Sequence, residues 1–288
     1  GEGGLVWAKQ RGYAESHTLL DTERGATKIL STNATDLEMT IDGGFDAFTS
    51  TGFTLKADNG WNINKASRKS VAWSFRKQKG FFDVVKFSTT GGGGTQAISH
   101  NLGSIPGFII LKKTSASQSW LTFHKGVTSP NSNWWRNWSD LTTAAFDDYF
   151  SDDSAINSAP TSTTVTVGSY FTDQTADFIM YVFAEGGSGD QIFGDDGDKA
   201  IIKCGTFSSA TEINLGFEPQ WMLVRRYSST GNWYMINNMT GFFGSTKNTP
   251  RLIADLNIAE GDDQIASVTA TGFNSRLYEG SGDYMYMA

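Results

Sequence analysis

The chain has 288 residues, enough for two or three domains of ordinary size, and its 32 Gly, 20 Phe, 9 Trp and 9 Tyr against 5 Pro favour strands over helices. A net charge of −7 with no basic run speaks against nucleic acid as a partner. No apolar stretch is long enough to cross a bilayer, which excludes insertion by a helix, and the lone Cys204 excludes an internal disulfide.

The first residues, Gly1-Glu2-Gly3-Gly4, lack both a signal peptide and an initiator Met, so the sequence reads as part of a longer or processed chain. The first predicted strand, Leu5-Val6-Trp7-Ala8, ends on Lys9. A ring, His17, follows eight residues after that basic anchor; Thr18-Leu19-Leu20 reads as a second strand, stopped by Asp21. Thr22 to Leu30 is expected to form a short helix, although Gly25 opposes it. Thr51-Gly52-Phe53 introduces the closing strands, of which Val71-Ala72-Trp73-Ser74-Phe75 is the last.

The same series then recurs, and repetition decides the organisation before local structure does. Phe82 to Phe87 is an opening strand, and Asn101-Leu102-Gly103 with Pro106 leads into Phe108-Ile109-Ile110-Leu111 and the anchor Lys112. Trp120 and His124 follow at the same offsets of eight and twelve. Phe178 to Ala184 closes the second copy. In the third, Ala200 to Gly205 is matched to Phe82 to Phe87, and Asn214-Leu215-Gly216 with Pro219 precedes Trp221-Met222-Leu223-Val224 and Arg225. Trp233 and Asn237 again stand at plus eight and plus twelve, and Tyr284 to Ala288 closes the series.

These marks divide the chain into a β module over 1–79, a second with a Trp-rich insert over 80–188, and a third over 189–288. The first module has no opening strand; it is either outside this sequence or supplied by something else. The Gly-rich second junction, Glu185 to Asp190, is expected to be the more flexible. Short strands with Gly and Asn turns give the expected fold class: all-β, three tandem antiparallel sandwich or jelly-roll-like modules.

Little in the sequence suggests catalysis. There are three His, and no metalloprotease, nucleophile-elbow or phosphate-loop motif. His17 aligns with Trp120 and Trp233 and so reads as a packing residue, while Cys204 reads as a small buried hydrophobe. The acidic run Asp195, Asp196 and Asp198 is a candidate calcium loop without the EF-hand spacing, with solvated loop charge as the plainer alternative. The insert of the second module carries Trp134, Trp135, Arg136, Trp138 and Asp140, which could stack on sugar rings and bind their hydroxyls. The same Trp could instead seal a core or a subunit contact.

Gly4 to Lys9, Asp21 to Lys28 with Asn33, Ser70 to Lys77 and Ile98 to Ile110 resemble a repeated module of uncharacterised function found in virion proteins of tailed phages, notably marine and cyanobacterial ones. The likeness runs over residues 1 to about 125. In the third module Asn238-Met239-Thr240-Gly241-Phe242 replaces the segment around Arg24, so no shared role is assigned to that arginine. The resemblance implies a non-enzymatic structural or appendage protein of the virion surface: a tail fibre, adhesin or decoration protein. Its expected partners are other virion proteins or copies of itself, with a host-surface glycan as a further ligand and no cofactor. The competing expectations are an array of carbohydrate-binding modules and a fragment of a polysaccharide depolymerase.

Overall fold

The computed structural model describes residues 3–58, 60, 63–127, 138–142, 155–208, 212–241, 249–263, 266–275 and 281–288. Helix among them is confined to one turn, Ser169–Thr172 (α1), and a 3-10 turn at Ser188–Asp190. Everything else that is regular is strand. The first repeat contains Gly4–Gln10 (β1), Thr18–Asp21 (β2), Lys28–Ile29 (β3), Met39–Thr40 (β4), Phe45–Phe48 (β5), Phe53–Leu55 (β6) and Ser70–Arg76 (β7). The second contains Phe82–Thr90 (β8), Gln96–Ser99 (β9), Pro106–Lys113 (β10), Leu121–His124 (β11), Trp138–Asp140 (β12), Thr164–Val167 (β13) and Thr175–Ala184 (β14). The third contains Cys204–Ser208 (β15), Glu212–Asn214 (β16), Trp221–Arg226 (β17), Tyr234–Asn237 (β18), Thr249–Ile253 (β19), Gly261–Asp263 (β20), Ala266–Thr269 (β21), Gly272–Ser275 (β22) and Asp283–Met287 (β23).

All pairings are antiparallel, so the all-β class read from the sequence is the observed one. Each repeat places its anchor strand between the second strand of the hairpin and the closing strand. The main sheets run β2-β1-β7, β12-β11-β10-β14-β8 and β15-β23-β17-β18-β19-β20. Their registers coincide: the basic anchors Lys9, Lys112 and Arg225 stand opposite Val71, Ile179 and Met285. The polar stops Asp21, His124 and Asn237 stand opposite Leu5, Phe108 and Trp221.

The anchor strands are apolar without alternation because both faces are buried. On β1, Leu5 and Trp7 enter a core cluster shared by all three repeats, while Val6 packs with Leu20, Ile41 and Phe45 in a cluster of the first repeat alone. On β17, Leu223 joins the shared core, while Met222 and Val224 turn to a cluster of the third repeat. Small sheets cover the outer faces: β3-β4 and β5-β6 in the first repeat, β9-β13 in the second and β16-β22-β21 in the third. The architecture is therefore sandwich-like, with the inner faces of the main sheets meeting in one core.

Three expectations need correction. The opening strands align through Phe87 opposite Phe178 and Phe207 opposite Tyr284, two residues away from the match of Phe82 with Ala200. A two-residue slip keeps every side chain on its face, so apolar patterning is blind to it. The segment from Thr22 is turn followed by β3 rather than helix. Asp21 Oδ1 accepts the amides of Glu23 (3.1 Å) and Arg24 (2.9 Å), and Gly25 sits at φ +95°. The Gly-rich second junction is tied down: the buried Asp190 Oδ2 accepts the amides of Gly186 (2.7 Å) and Gly187 (3.2 Å), and Lys203 Nζ donates to the Gly186 carbonyl at 3.0 Å. Gly186 has φ +77°, and a Cβ there would lie 1.9 Å from the Ile202 carbonyl oxygen.

Candidate functional site: the repeat junctions and the open edge of β7

The positions that repeat most faithfully build the contacts between repeats. The main-chain amide at plus eight is held by a side chain of its own repeat: His17 by Asn33 Oδ1 (2.8 Å), Trp120 by Thr142 Oγ1 (2.9 Å) and Trp233 by Asp255 Oδ1 (2.9 Å). Each ring so oriented reaches a neighbouring repeat. His17 Nδ1 accepts from Trp7 Nε1 at 3.0 Å, which leaves the proton on Nε2 to be donated to the Ile253 carbonyl at 2.9 Å. Trp120 Nε1 donates to the Ser31 carbonyl at 2.9 Å, and Trp233 packs edge-on against Phe108 at 5.9 Å. First touches third, second touches first and third touches second, so the contacts close a ring.

The polar stops run round that ring in the opposite sense. Asp21 Oδ2 accepts from Tyr181 of β14 at 2.8 Å and from Arg24 Nε at 2.5 Å, while Arg24 Nη2 donates to the Leu19 carbonyl. His124 Nδ1 accepts the Gly126 amide at 3.0 Å, so its Nε2 donates to the Tyr286 carbonyl of β23 at 3.0 Å. Asn237, at the third junction, spends its Oδ1 on the Thr240 amide of its own turn. Its Nδ2, Trp73 Nε1 and Trp221 Nε1 are buried with no hydrogen-bond partner among the described residues.

The basic anchors are buried too. Lys9 Nζ donates to the carbonyls of Gln10 (2.8 Å) and Tyr13 (3.2 Å), Lys112 Nζ to those of Thr35 (3.0 Å) and Gln118 (2.6 Å), and the Arg225 guanidinium lies 4.9 Å from the Trp233 ring centre. Burial lowers the Lys9 pKa to about 8, against the pull of Glu15 and Glu260. Burial also lowers His17, beside the Lys9 charge, to about 3, and His124 to about 4. Both imidazoles are neutral at pH 7 and held at both ring nitrogens, which suits a scaffold better than proton transfer.

Trp134, Trp135 and Arg136 lie outside the described residues. The backbones of Trp138 and Asp140 belong to β12, the outer strand beside β11, opposite Phe123 and Leu121. Asp195 and Asp196 lie in an exposed turn closed by the bridge between Phe193 and Lys199, and Asp198 pairs with Lys199 at 2.7 Å. Among the described residues no three His, Cys, Asp or Glu side chains come together as a metal site. Cys204 is buried, with Sγ 3.4 Å from the Ala184 carbonyl and its thiol pKa raised by burial.

The feature that residue chemistry did not signal is a cavity of about 850 Å³ at the junction of the third and first repeats. Trp73, Phe75, Phe81, Ile201, Phe217 and Met239 are among its walls, and Ile201 and Met239 are 47% and 58% exposed. Apolar lining at this size suits a bound segment or ligand. It borders β7, the outermost strand of the first main sheet among the described residues. Lys77 donates to the Gly3 carbonyl and Arg11 to that of Lys69, so odd-numbered residues of β7 bond to β1. The amides and carbonyls of Ala72 and Ser74 consequently face away from β1, along the cavity.

The sequence profile of a family described as "Domain of unknown function (DUF7483)" matches residues 2–288 and so spans all three repeats. The chain belongs to this family. No curated protein and no solved structure matches it. The family description assigns no activity.

Proposed function

We propose that this member of the family is a non-enzymatic structural component of a phage virion, a fibre, adhesin or decoration protein that works through assembly and attachment to the host surface. The observation that carries the reading is how the recurring polar residues are used. Asp21, His17, His124 and Lys112 each bond across a repeat junction, so the groups best placed for chemistry are consumed in holding the repeats together. A shared core with outward loops is a rigid support for variable contact surfaces. The likeness of residues 1 to about 125 to modules of tailed-phage virion proteins supports the location.

The test is to find the protein in purified particles. Gold-labelled antibody against the chain should mark a fixed position on intact virions under the electron microscope. Protein found only as free monomer in the infected host's soluble fraction would overturn the proposal.

A further inference from the structure

The three repeats diverge on the face that each main sheet turns to its cover. One residue before the basic anchor, that face carries Ala8 in the first repeat, Leu111 in the second and Val224 in the third. Opposite them stand Thr18, Leu121 and Tyr234. The closing strands add Ser70, Phe178 and Tyr284, opposite Gln10, Lys113 and Arg226. The second and third repeats thus fill three equivalent places with large buried side chains, and the first with small ones, two of them hydroxylic. The space released is a pocket of about 200 Å³, with Ala8 and Thr18 on one side and Ile29 of β3 and Met39 of β4 on the other. Its mouth is exposed at Ser16, Asp36 and Ser70, while Thr18 and Ser31 lie deeper, at 8% and 9% exposure. Neither of these two buried hydroxyls has a hydrogen-bond partner among the described residues. Buried hydroxyls are ordinarily bonded, so both point to an occupant.

We propose that this pocket of the first repeat binds one ring of a neutral sugar. The inference goes beyond the virion reading and does not depend on it. Size sets the first limit, since the pocket is smaller than the roughly 300–1,000 Å³ that drug-sized ligands occupy. Charge sets the second. Of the two carboxylates in the lining, Glu15 pairs with Arg68 at 2.6 Å, and the Lys9 ammonium in the wall stands against that of Asp36. Lys9 Nζ is itself held by two main-chain carbonyls, so no cation is left to select an anion. The lining sets the third: Ile29, Met39 and Ile63 offer apolar surface to ring C–H groups, while the hydroxyls of Thr18 and Ser31 and the carboxylate of Asp36 can exchange hydrogen bonds with ring hydroxyls. Water is the competing occupant, and a sugar reproduces its hydrogen bonds while also covering the apolar wall. The large side chains at the equivalent positions of the other repeats assign the binding to the first repeat alone.

Titration of the intact chain with glucose, galactose, mannose and N-acetylglucosamine, and with glucuronic acid and glucosamine as charged counterparts, tests this by ligand-observed NMR. The expected result is saturable one-to-one binding of at least one neutral sugar, in preference to both charged ones. Thr18→Leu gives the pocket the residue of the second repeat and should weaken that binding at least about tenfold by filling the space. Ser31→Ala removes one hydroxyl and should weaken it about fivefold, the worth of one hydrogen bond. If Thr18→Leu fails to fold by circular dichroism, Ser31→Ala keeps the test decisive. No saturable binding of any neutral sugar, or binding that the folded variants leave unchanged, would overturn the proposal. Selective binding of glucuronic acid or glucosamine would assign the pocket to an ion and also overturn it.

Discussion

β14 and β7 hold the same place in their sheets, yet among the described residues β14 is covered along both edges and β7 along one. The junctions beside them differ in the same way. Where the first repeat meets the second, Asp21, Arg24 and Tyr181 form a buried hydrogen-bonded network in which Arg24 Nη1 makes only an ion pair with Glu38, at 3.5 Å; where the third meets the first, Asn237, Trp73 and Trp221 carry donors without a hydrogen-bond partner among the described residues, and a cavity borders both Trp. One repeated pattern thus yields a finished junction and an unfinished one.

Charge placed at equivalent positions should separate the two strands most widely. Val182→Asp on β14 puts a carboxylate in a fully buried apolar site and should cost about 5 kcal/mol or more, enough to abolish folding. Ser74→Asp on β7, exposed, should change stability by less than about 0.5 kcal/mol. Urea denaturation of both variants measures the contrast, and equal losses would erase it.

Next in size is the contrast between the junctions. Arg24→Met strands the Asp21 charge in the core and should cost about 3–5 kcal/mol, of which Asp21→Asn in the same chain should restore a part. Asn237→Ala at the unfinished junction removes one hydrogen bond to Thr240 and should cost about 1 kcal/mol.

Acid should act through the two neutral imidazoles. Their folded pKa values of about 3 and about 4 lie below the ordinary 6.5, so the unfolded chain binds more protons and stability falls as pH drops below 6.5. The loss continues until the pH passes the folded values. Between pH 7 and pH 5 each histidine should account for about 2 kcal/mol, since one pKa unit corresponds to about 1.4 kcal/mol. Replacing His124 by Asn, the residue at that position in the third repeat, should flatten the pH dependence by its share; an unchanged slope would show that His124 is not buried as described. The smallest effect belongs to the cavity wall, where Met239→Ser should shift stability by less than about 0.5 kcal/mol because the side chain is mostly exposed.

Much of this fold is legible in the sequence because it is written three times. The basic anchor, the ring at plus eight and the polar stop at plus twelve keep their spacing; anchor and stop fall at the same register position in each sheet, and the ring stands immediately before the second strand. The alignment of Phe82 with Ile202 rather than with Ala200 is not legible, because strand periodicity cannot see an even shift. Nor is the role of Asp21 visible: its carboxylate organises a turn locally and meets Tyr181 across 160 positions of sequence. The cavity is the least legible, since its walls come from separate stretches of all three repeats and share no motif. Of the proposed sugar platform, only the strand placement of Trp138 and Asp140 falls within the described residues.

The central claim is that β7 is bonded along one edge and its equivalent β14 along both among the described residues, and residue-resolved amide hydrogen exchange tests it most directly. Along β7 the amides of Val71, Trp73 and Phe75, bonded to β1, should be protected, while those of Ala72 and Ser74 exchange rapidly; along β14 odd and even positions from Ile179 to Phe183 should be protected alike. Uniform protection along β7 would contradict the account.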